Sequence, residues 1–323
     1  MLSKIEISHK TIIFTVIFLA AIWFVLQIRE ILFLLFISFI IMSALRPLID
    51  FTERIRVPRV ISILLVYVII FGVFGVSLVG TIPSLAVQSV RLIQALPAFV
   101  SKVIPLSMLD ISSFSQQIAP LSQNIVKLTV GIFSNVITIV AVLVFTFYLL
   151  LERKKIEEIL SGFMGEEAVR RTFRVITNIE VRLGKWVQGQ LILMLLIGLL
   201  SFIGLTVLRI EFAVPLAIFA GLLEIVPTIG PIISAIPAII VALAASPMLA
   251  VFVVVLYFAI HQTENGLVVP LVMKGSVGLP PLLTIIALMI GAKLAGIAGA
   301  VLAIPMVLVV QEILREYLST EKK

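Results

Sequence analysis

The chain of 323 residues contains no cysteine and only two histidines, His9 and His261. Without cysteine it can form no disulfide, iron–sulfur centre or thiol nucleophile, and with so few histidines we predict no metal site. Charged residues are scarce too, at 13% of the chain, which is about half of their share in soluble domains. So little of the sequence can face water that a soluble globular protein is excluded.

Apolar residues make up 61% of the chain, and the mean hydropathy is +1.27. A helix that crosses a bilayer needs about 20 apolar residues. Five uncharged runs approach or exceed that length: 11–28, 31–45, 60–80, 128–151 and 186–208. Together with the apolar C-terminal part, they predict an all-α polytopic membrane protein with about eight transmembrane passages, whose first partner is the lipid bilayer.

The charged and polar segments divide the chain into three predicted parts. They are an N-terminal scaffold over 1–151, a cytoplasmic charged helical linker over 152–185 and a C-terminal membrane domain over 186–323. Charges of both signs at helical spacing predict that the linker is solvated. Within the scaffold, residues 81–127 form an extracytoplasmic amphipathic segment, which is typical of a helix lying on the membrane surface or of an oligomer contact or lid.

The basic residues predict the orientation in the membrane. Loops rich in Lys and Arg stay in the cytoplasm, and one assignment of the loops places 17 of the 24 basic residues on one side. That assignment puts the protein in the cell membrane with both termini in the cytoplasm. The net charge of +7 then belongs to the cytoplasmic membrane surface, and we expect no nucleic-acid partner.

Residues 212–243 form an apolar passage of 32 residues with a single charge, Glu224. A straight helix of that length would extend about 48 Å, against a hydrocarbon core of about 30 Å. Pro227, Gly230 and Pro231 interrupt its middle, because proline cannot continue a regular helix. Such a break is tolerated at membrane depth only inside protein or beside a wet cavity. We therefore predict a broken crossing or a re-entrant hairpin.

Residues 279–310 form a second passage of 32 residues with one charge, Lys293. Its Ala-Ile-Pro tripeptide, ending at Pro305, also occurs in the first passage, and the lone charge stands 12 or 13 residues before the proline in each. Two interrupted segments in corresponding positions are typical of the central site of a transporter. The glycines of this passage are small enough to let helices pack closely, so no ligand is needed to explain them. They are Gly291, Gly296 and Gly299.

An ionised side chain at membrane depth needs a partner or a role, because burying it is costly. Glu224 and Lys293 are the only charges within the two passages, and three interpretations stay open. The two residues form a static ion pair, they bind a polar substrate, or Glu224 carries a proton or a cation.

A short polar cluster lies between the two passages. Glu264 and Asn265 could reach a cavity between the interrupted segments, so they are further candidates for binding a substrate or an ion. We interpret His261 as a residue at the membrane boundary and Pro270 as a structural break.

The chain contains no phosphate-binding loop, nucleophile elbow or H-E-x-x-H motif. We predict that the protein is not an enzyme and has no cofactor. A proton or sodium gradient could supply the energy for transport.

Several motifs occur in the order that one family of permeases shows. They are Phe147-Tyr148, Gly189-Gln190, Leu223 to Pro231, Asn265 to Pro270, Gly278 to Leu283 and Gly296 to Pro305. Over nearly its whole length, the chain resembles the autoinducer-2 exporter family, also described as PerM-like permeases. The resemblance implies about eight spans and either export of a small signalling molecule or sodium or lithium/proton antiport.

We therefore expect a secondary transporter that exports a small polar organic solute by alternating access and works as a homo-oligomer. The alternatives are a sodium or lithium/proton antiporter with Glu224 as the coupling carboxylate, and a membrane scaffold without transport. Two topologies fit the charges of the C-terminal half. One has three ordinary crossings after Leu208, and the other has one crossing flanked by two hairpins that enter from opposite sides.

Overall fold

The computed structural model describes residues 9–70, 72, 87–88, 90–95, 98, 136–164, 166–227, 229–273 and 279–320. Helices account for nearly all of these residues, and none of them lies in a β-strand. The prediction of an all-α polytopic membrane protein is confirmed. Most of the predicted amphipathic segment 81–127 lies outside the described residues.

The N-terminal part contributes four helices. They are α1 (His9–Gln27), α2 (Arg29–Arg54), α3 (Arg59–Ile70) and α4 (Val136–Met164). The buried side chains that hold α2, α3 and α4 together are Met42, Ile49, Ile63, Val66 and Leu150. Because the hydrophobic effect is weak between helices in lipid, hydrogen bonds between helices also matter. The Tyr67 hydroxyl of α3 donates to the Leu143 carbonyl of α4 at 2.9 Å.

The C-terminal part contributes five helices of more than ten residues. They are α5 (Glu166–Val207), α6 (Ala213–Leu223), α7 (Ile229–Ala245), α8 (Pro247–Thr263) and α9 (Pro281–Thr320). After α8 the chain continues through a π-helical turn, Glu264–Val268, and a short helix, Val269–Val272. The 42 residues of α5 extend about 63 Å, so its charged first half projects beyond the hydrocarbon. The predicted linker 152–185 is thus divided between α4 and α5.

Four helical stretches in the described part are long and apolar enough to cross a membrane. They are Arg29–Arg54, Val169–Val207, Pro247–Val272 and Leu282–Glu316. These four stretches are defined by their length and composition alone. Length and composition do not show whether a stretch crosses the bilayer, because a bent stretch can return to the side from which it came. The backbone of the last stretch is bent.

Helix α9 is a hairpin. Its backbone leaves helical geometry at Ala295 and Gly296, and Gly296 has a φ of +61°, which favours glycine. Beyond this point the chain runs back, so that a Cβ atom built on Gly291 would overlap the carbonyl oxygen of Gly299. The same two residues would lie about 12 Å apart in a straight helix. The passage predicted over 279–310 therefore turns back on itself at an exposed tip.

Helices α6 and α7 form another hairpin. They have 11 and 17 residues, or about 16 and 26 Å, and each is shorter than the hydrocarbon core of about 30 Å. At the turn, a Cβ atom on Gly230 would overlap the carbonyl oxygen of Leu223, so the chain can fold back here only with glycine. At the other end, Ile210 and Val241 line a shared cavity of about 230 Å³.

The two hairpins enter from opposite ends of α5. The α6–α7 hairpin follows the end of α5 and packs along its second half, where a Cβ on Gly221 would lie 2.7 Å from the Met194 carbonyl oxygen. The α9 hairpin returns to the first half of α5, where Arg182 pairs with Glu312 at 2.9 Å. This geometry corresponds to the second predicted topology, with one crossing, α8, flanked by two hairpins.

Glu180 is the centre of an ionic network at the charged half of α5. It is 2% exposed, and it forms salt bridges with Arg46 of α2 and, at 3.0 Å, with Arg153 of α4. The linker was predicted to be solvated, and Glu180 departs from that prediction because α2 and α4 cover it. The pattern of charged and apolar residues along α5 does not show that α2 and α4 cover Glu180.

Replacing Glu180 with alanine is expected to lower the free energy of unfolding by about 3 kcal/mol or more, because two partly buried arginines lose their counter-charge. The matched control is Glu166→Ala, since Glu166 and Arg170 form an exposed pair at 3.8 Å whose loss costs about 1 kcal/mol at most. Thermal unfolding in detergent measures both. Equal melting temperatures of the two variants would show that the network contributes no stability.

Candidate functional site

Glu224 lies at the turn of the α6–α7 hairpin. Its side chain is completely buried, and neither carboxylate oxygen has a hydrogen-bond partner in the described part of the chain. The sequence places it there because α6 ends at Leu223 and Pro227 prevents the helix from continuing. A carboxylate without partners in a helix break is a candidate binding group for a polar ligand, a proton or a cation.

Gln190 of α5 connects the central crossing helix to this turn. Its side-chain Nε2 donates to the backbone carbonyl of Glu224 at 2.6 Å, and the residue is 3% exposed. Its Oε1 has no partner within the described residues. Buried polar atoms are nearly always hydrogen-bonded, so the unpartnered oxygens of Gln190 and Glu224 mark one place where a ligand could bind.

A second carboxylate, Glu264, is the neighbouring ionisable group of Glu224. It is 3% exposed and begins the π-helical turn after α8. Turns of this type are frequent at functional sites, because the extra residue redirects side chains. Two carboxylates close together repel each other when both are ionised, so the pair favours a proton or a cation between them.

His261 and Asn265 extend the pair towards the surface. His261 Nδ1 lies 3.3 Å from the Glu264 Oε2, and its Nε2 lies 3.0 Å from the amide nitrogen of Asn265. Because Asn265 is exposed and Glu224 is buried, this series of side chains leads from the surface to the site. Both ring nitrogens of a histidine can take part in hydrogen bonds, which suits such a position.

Lys293 lies apart from this group. Its side chain is exposed, three residues before Gly296 at the tip of the α9 hairpin. Within the described residues no salt bridge joins it to Glu224. Of the three interpretations of the two lone charges, the static ion pair is thus not the arrangement that this structure shows.

The remaining predicted residues fall into two groups. The turn of the first hairpin contains Pro227 and Pro231, which are half-buried, and Gly230, which is buried. The other residues have structural positions outside the first hairpin. Pro270 is exposed beyond the π-helical turn, Pro305 is buried in the returning arm of α9, and Gly291 and Gly299 pack against each other.

Sequence reasoning missed two residues of this site. Gln190 is one of few polar residues in the apolar run 186–208, and that contrast is the signal that could have identified it. His261 was interpreted as a boundary residue, although its spacing of three residues from Glu264 places both on one helix face.

The helical fold, the two opposed hairpins and the buried carboxylates are features that many membrane transporters share. The sequence profile of the AI-2E family transporters matches residues 12–319, and the chain belongs to this family. The resemblance noted from its motifs is therefore confirmed.

The chain is similar to several bacterial proteins that are named as candidate transport proteins. It is 28% identical to YueF of Bacillus subtilis over 204 residues, which are 62% of this chain and 55% of that protein. It is also 28% identical to YrrI of Bacillus subtilis over 46% of this chain and 42% of that protein. Identity to MT0215 of Mycobacterium tuberculosis is 38% over 32% of this chain and 29% of that protein. The chain thus spans about half the length, or less, of these relatives.

Proposed function

We propose that this protein is a secondary transporter that exports a small polar organic solute, such as an autoinducer-2-like signalling molecule, by alternating access. The observation that supports this function is the buried, unpartnered Glu224 carboxylate at the turn of one hairpin, two residues from Val226, which packs on the other hairpin. Interrupted helices that point into the protein from two sides are typical of transporter binding sites. The solute class rests on the family resemblance.

The contact between the hairpins suits a moving part. Val226, two residues after Glu224, packs on a small buried cluster of the α9 hairpin formed by Ala287, Leu288 and Ala303. Small side chains allow close packing between helices and leave few interlocking contacts that a sliding motion must break. Displacement of either hairpin would expose Glu224 to one side of the membrane at a time.

The proposed orientation follows the basic residues. The charged half of α5 and both termini lie in the cytoplasm, because Lys and Arg are retained there. The α9 hairpin then opens to the cytoplasm and the α6–α7 hairpin to the outside. The proposed partners are the bilayer, the transported solute and further copies of the chain, and the proposed energy source is a proton or sodium gradient.

Flux measurements in proteoliposomes test this proposal. The purified protein is reconstituted and offered a panel of small polar solutes, with and without a proton or sodium gradient. We expect at least one solute to move faster than through protein-free liposomes, with a rate that depends on the gradient. The absence of flux for every solute and gradient would favour a membrane scaffold instead.

A sodium or lithium/proton antiporter is the second candidate function. The observation that favours it is the neighbouring pair of buried carboxylates, Glu224 and Glu264. Carboxylate oxygens are good ligands for hard cations, and protons compete for the same oxygens. In this mechanism, the pair exchanges a bound cation for a proton in each transport cycle.

The variant Glu264→Gln tests the antiporter. Removing one of the two carboxylates is expected to weaken apparent sodium or lithium affinity by roughly tenfold, equivalent to about 1.4 kcal/mol. The measurement is the cation-driven pH change in proteoliposomes that contain a pH-sensitive dye, with exposed Glu166→Gln as the matched control. If the unmodified protein produces no cation-driven pH change, the antiporter is excluded and the solute exporter stands alone.

A further inference from the structure

A separate cavity of about 500 Å³ lies between α2 and α5, at the charged end of the bundle. Its charged lining residues are Arg46, Asp50, Arg54, Glu180 and Lys185, beside the polar Ser43 and Gln188. None of these residues contributes a hydrogen bond or ion pair to Glu224 within the described part of the chain. The transport site therefore does not account for this cavity.

The cavity is built beside a tight crossing of the two helices. A Cβ on Gly184 of α5 would overlap the carbonyl oxygen of Ser43, which Pro47 leaves without its usual helical N–H donor. On the next turn of α5, Gln188 Nε2 donates to the Ala44 carbonyl at 3.1 Å. These contacts fix the separation of α2 and α5, so the cavity is a defined feature of the fold.

The charges of the lining leave a positive surplus. Arg46 is neutralised by Glu180 and, at 3.5 Å, by Asp50. Arg54 and Lys185 are exposed and have no salt bridge to any residue that the structure describes. Two uncommitted cations at the mouth of a cavity favour an anionic ligand, and a guanidinium is well suited to bind phosphate oxygens.

The surroundings of these cations are apolar. Phe51 and Val181 line the same cavity and are 62% and 47% exposed, and neighbouring Leu48 is 50% exposed. On a membrane protein, such side chains contact acyl chains, whereas a soluble anion would gain nothing from them. We propose that this cavity binds the headgroup of an anionic phospholipid, with its phosphate at Arg54 and Lys185 and its acyl chains along Phe51. Basic pockets between helices on the cytoplasmic side are typical sites for such headgroups.

Native mass spectrometry of the full chain in detergent tests this site, with phosphatidylglycerol and phosphatidylcholine as the two lipid probes. The double variant Arg54→Gln/Lys185→Gln is expected to bind phosphatidylglycerol more weakly by roughly tenfold or more, with phosphatidylcholine binding unchanged. Lys155→Gln is the control, because Lys155 is a 73% exposed cation outside the cavity. Unchanged phosphatidylglycerol affinity in the double variant would overturn the proposal.

A second measurement separates a lipid from a soluble anion and guards against misfolded variants. Phosphatidylglycerol is expected to raise the melting temperature of the unmodified protein, and the double variant should lose this increase while melting normally without lipid. Glycerol phosphate serves as the soluble competitor. If it displaces phosphatidylglycerol at comparable concentrations, the cavity is a site for soluble phosphates and the lipid assignment is wrong. Neither readout depends on solute flux, so this proposal can fail independently of the proposed function.

Discussion

Replacing Glu224 with glutamine is expected to reduce transport in proteoliposomes by about a hundredfold, equivalent to about 2.7 kcal/mol, while the protein stays folded. Glutamine has nearly the same shape as glutamate, so the buried turn of the first hairpin remains filled. It cannot ionise, however, and it can neither carry a proton nor balance a cation. No described donor pairs with either Glu224 oxygen, and the substitution relieves the repulsion between Glu224 and Glu264. The melting temperature should therefore be unchanged or higher.

The combination of lost flux and retained stability separates a transport role from a structural one. Glu166→Gln is the matched control, since this exposed glutamate lies at the start of α5 and should keep full flux. A Glu224→Gln protein that retains both solute flux and ion-driven pH changes would contradict a role for this carboxylate. Retained ion-driven pH changes alone would eliminate Glu224 as the coupling carboxylate of an antiporter.

Replacing Gly291 with alanine is expected to lower the free energy of unfolding by about 3 kcal/mol, because the added methyl group cannot fit. It would overlap the backbone carbonyl of Gly299, and moving that carbonyl requires the two arms of the α9 hairpin to separate. We expect a reduced melting temperature in detergent and a low yield of folded protein. Flux per folded molecule should also fall, because Val226 beside Glu224 packs on the same hairpin.

Gly162→Ala is the control for this substitution. A Cβ on Gly162, an exposed position of α4, meets nothing within 4 Å. Alanine is favoured over glycine in a helix by about 1 kcal/mol, so this variant should be as stable as the original or more stable. If Gly291→Ala melts at the same temperature as Gly162→Ala, then the arms of α9 do not pack together as the structure shows.

The helical membrane class and the position of the first break could be predicted from sequence. Charge-free runs of sufficient length are a direct consequence of the thickness of the bilayer. Pro227 and Pro231 locate the first break, because the missing N–H of proline is a local property. These conclusions depend only on residues that are neighbours in the chain.

The path of the chain around the site could not be predicted in this way. Both topologies place the same residues in lipid, and the choice depends on whether Gly291 and Gly299 meet, which is a contact across the turn of α9. The neighbouring positions of Glu224 and Glu264 require α6 and α8 to descend beside α5. The pattern of hydrophobic residues along the chain does not reveal which helices pack together, because the lipid and the protein interior are equally apolar.

Two hairpins that enter from opposite sides, one of them with Glu224 at its turn, are the central feature of the proposed transport site. The chain lacks cysteine, so a single cysteine introduced at Met248, Pro280 or Leu318 is the only labelling site in the purified chain. Membrane-impermeant maleimide applied to intact cells is expected to label Met248→Cys alone, whereas Pro280→Cys and Leu318→Cys react only after the cells are opened. Labelling of Pro280→Cys from outside, together with protection of Met248→Cys, would instead mean ordinary crossings and would contradict the hairpins.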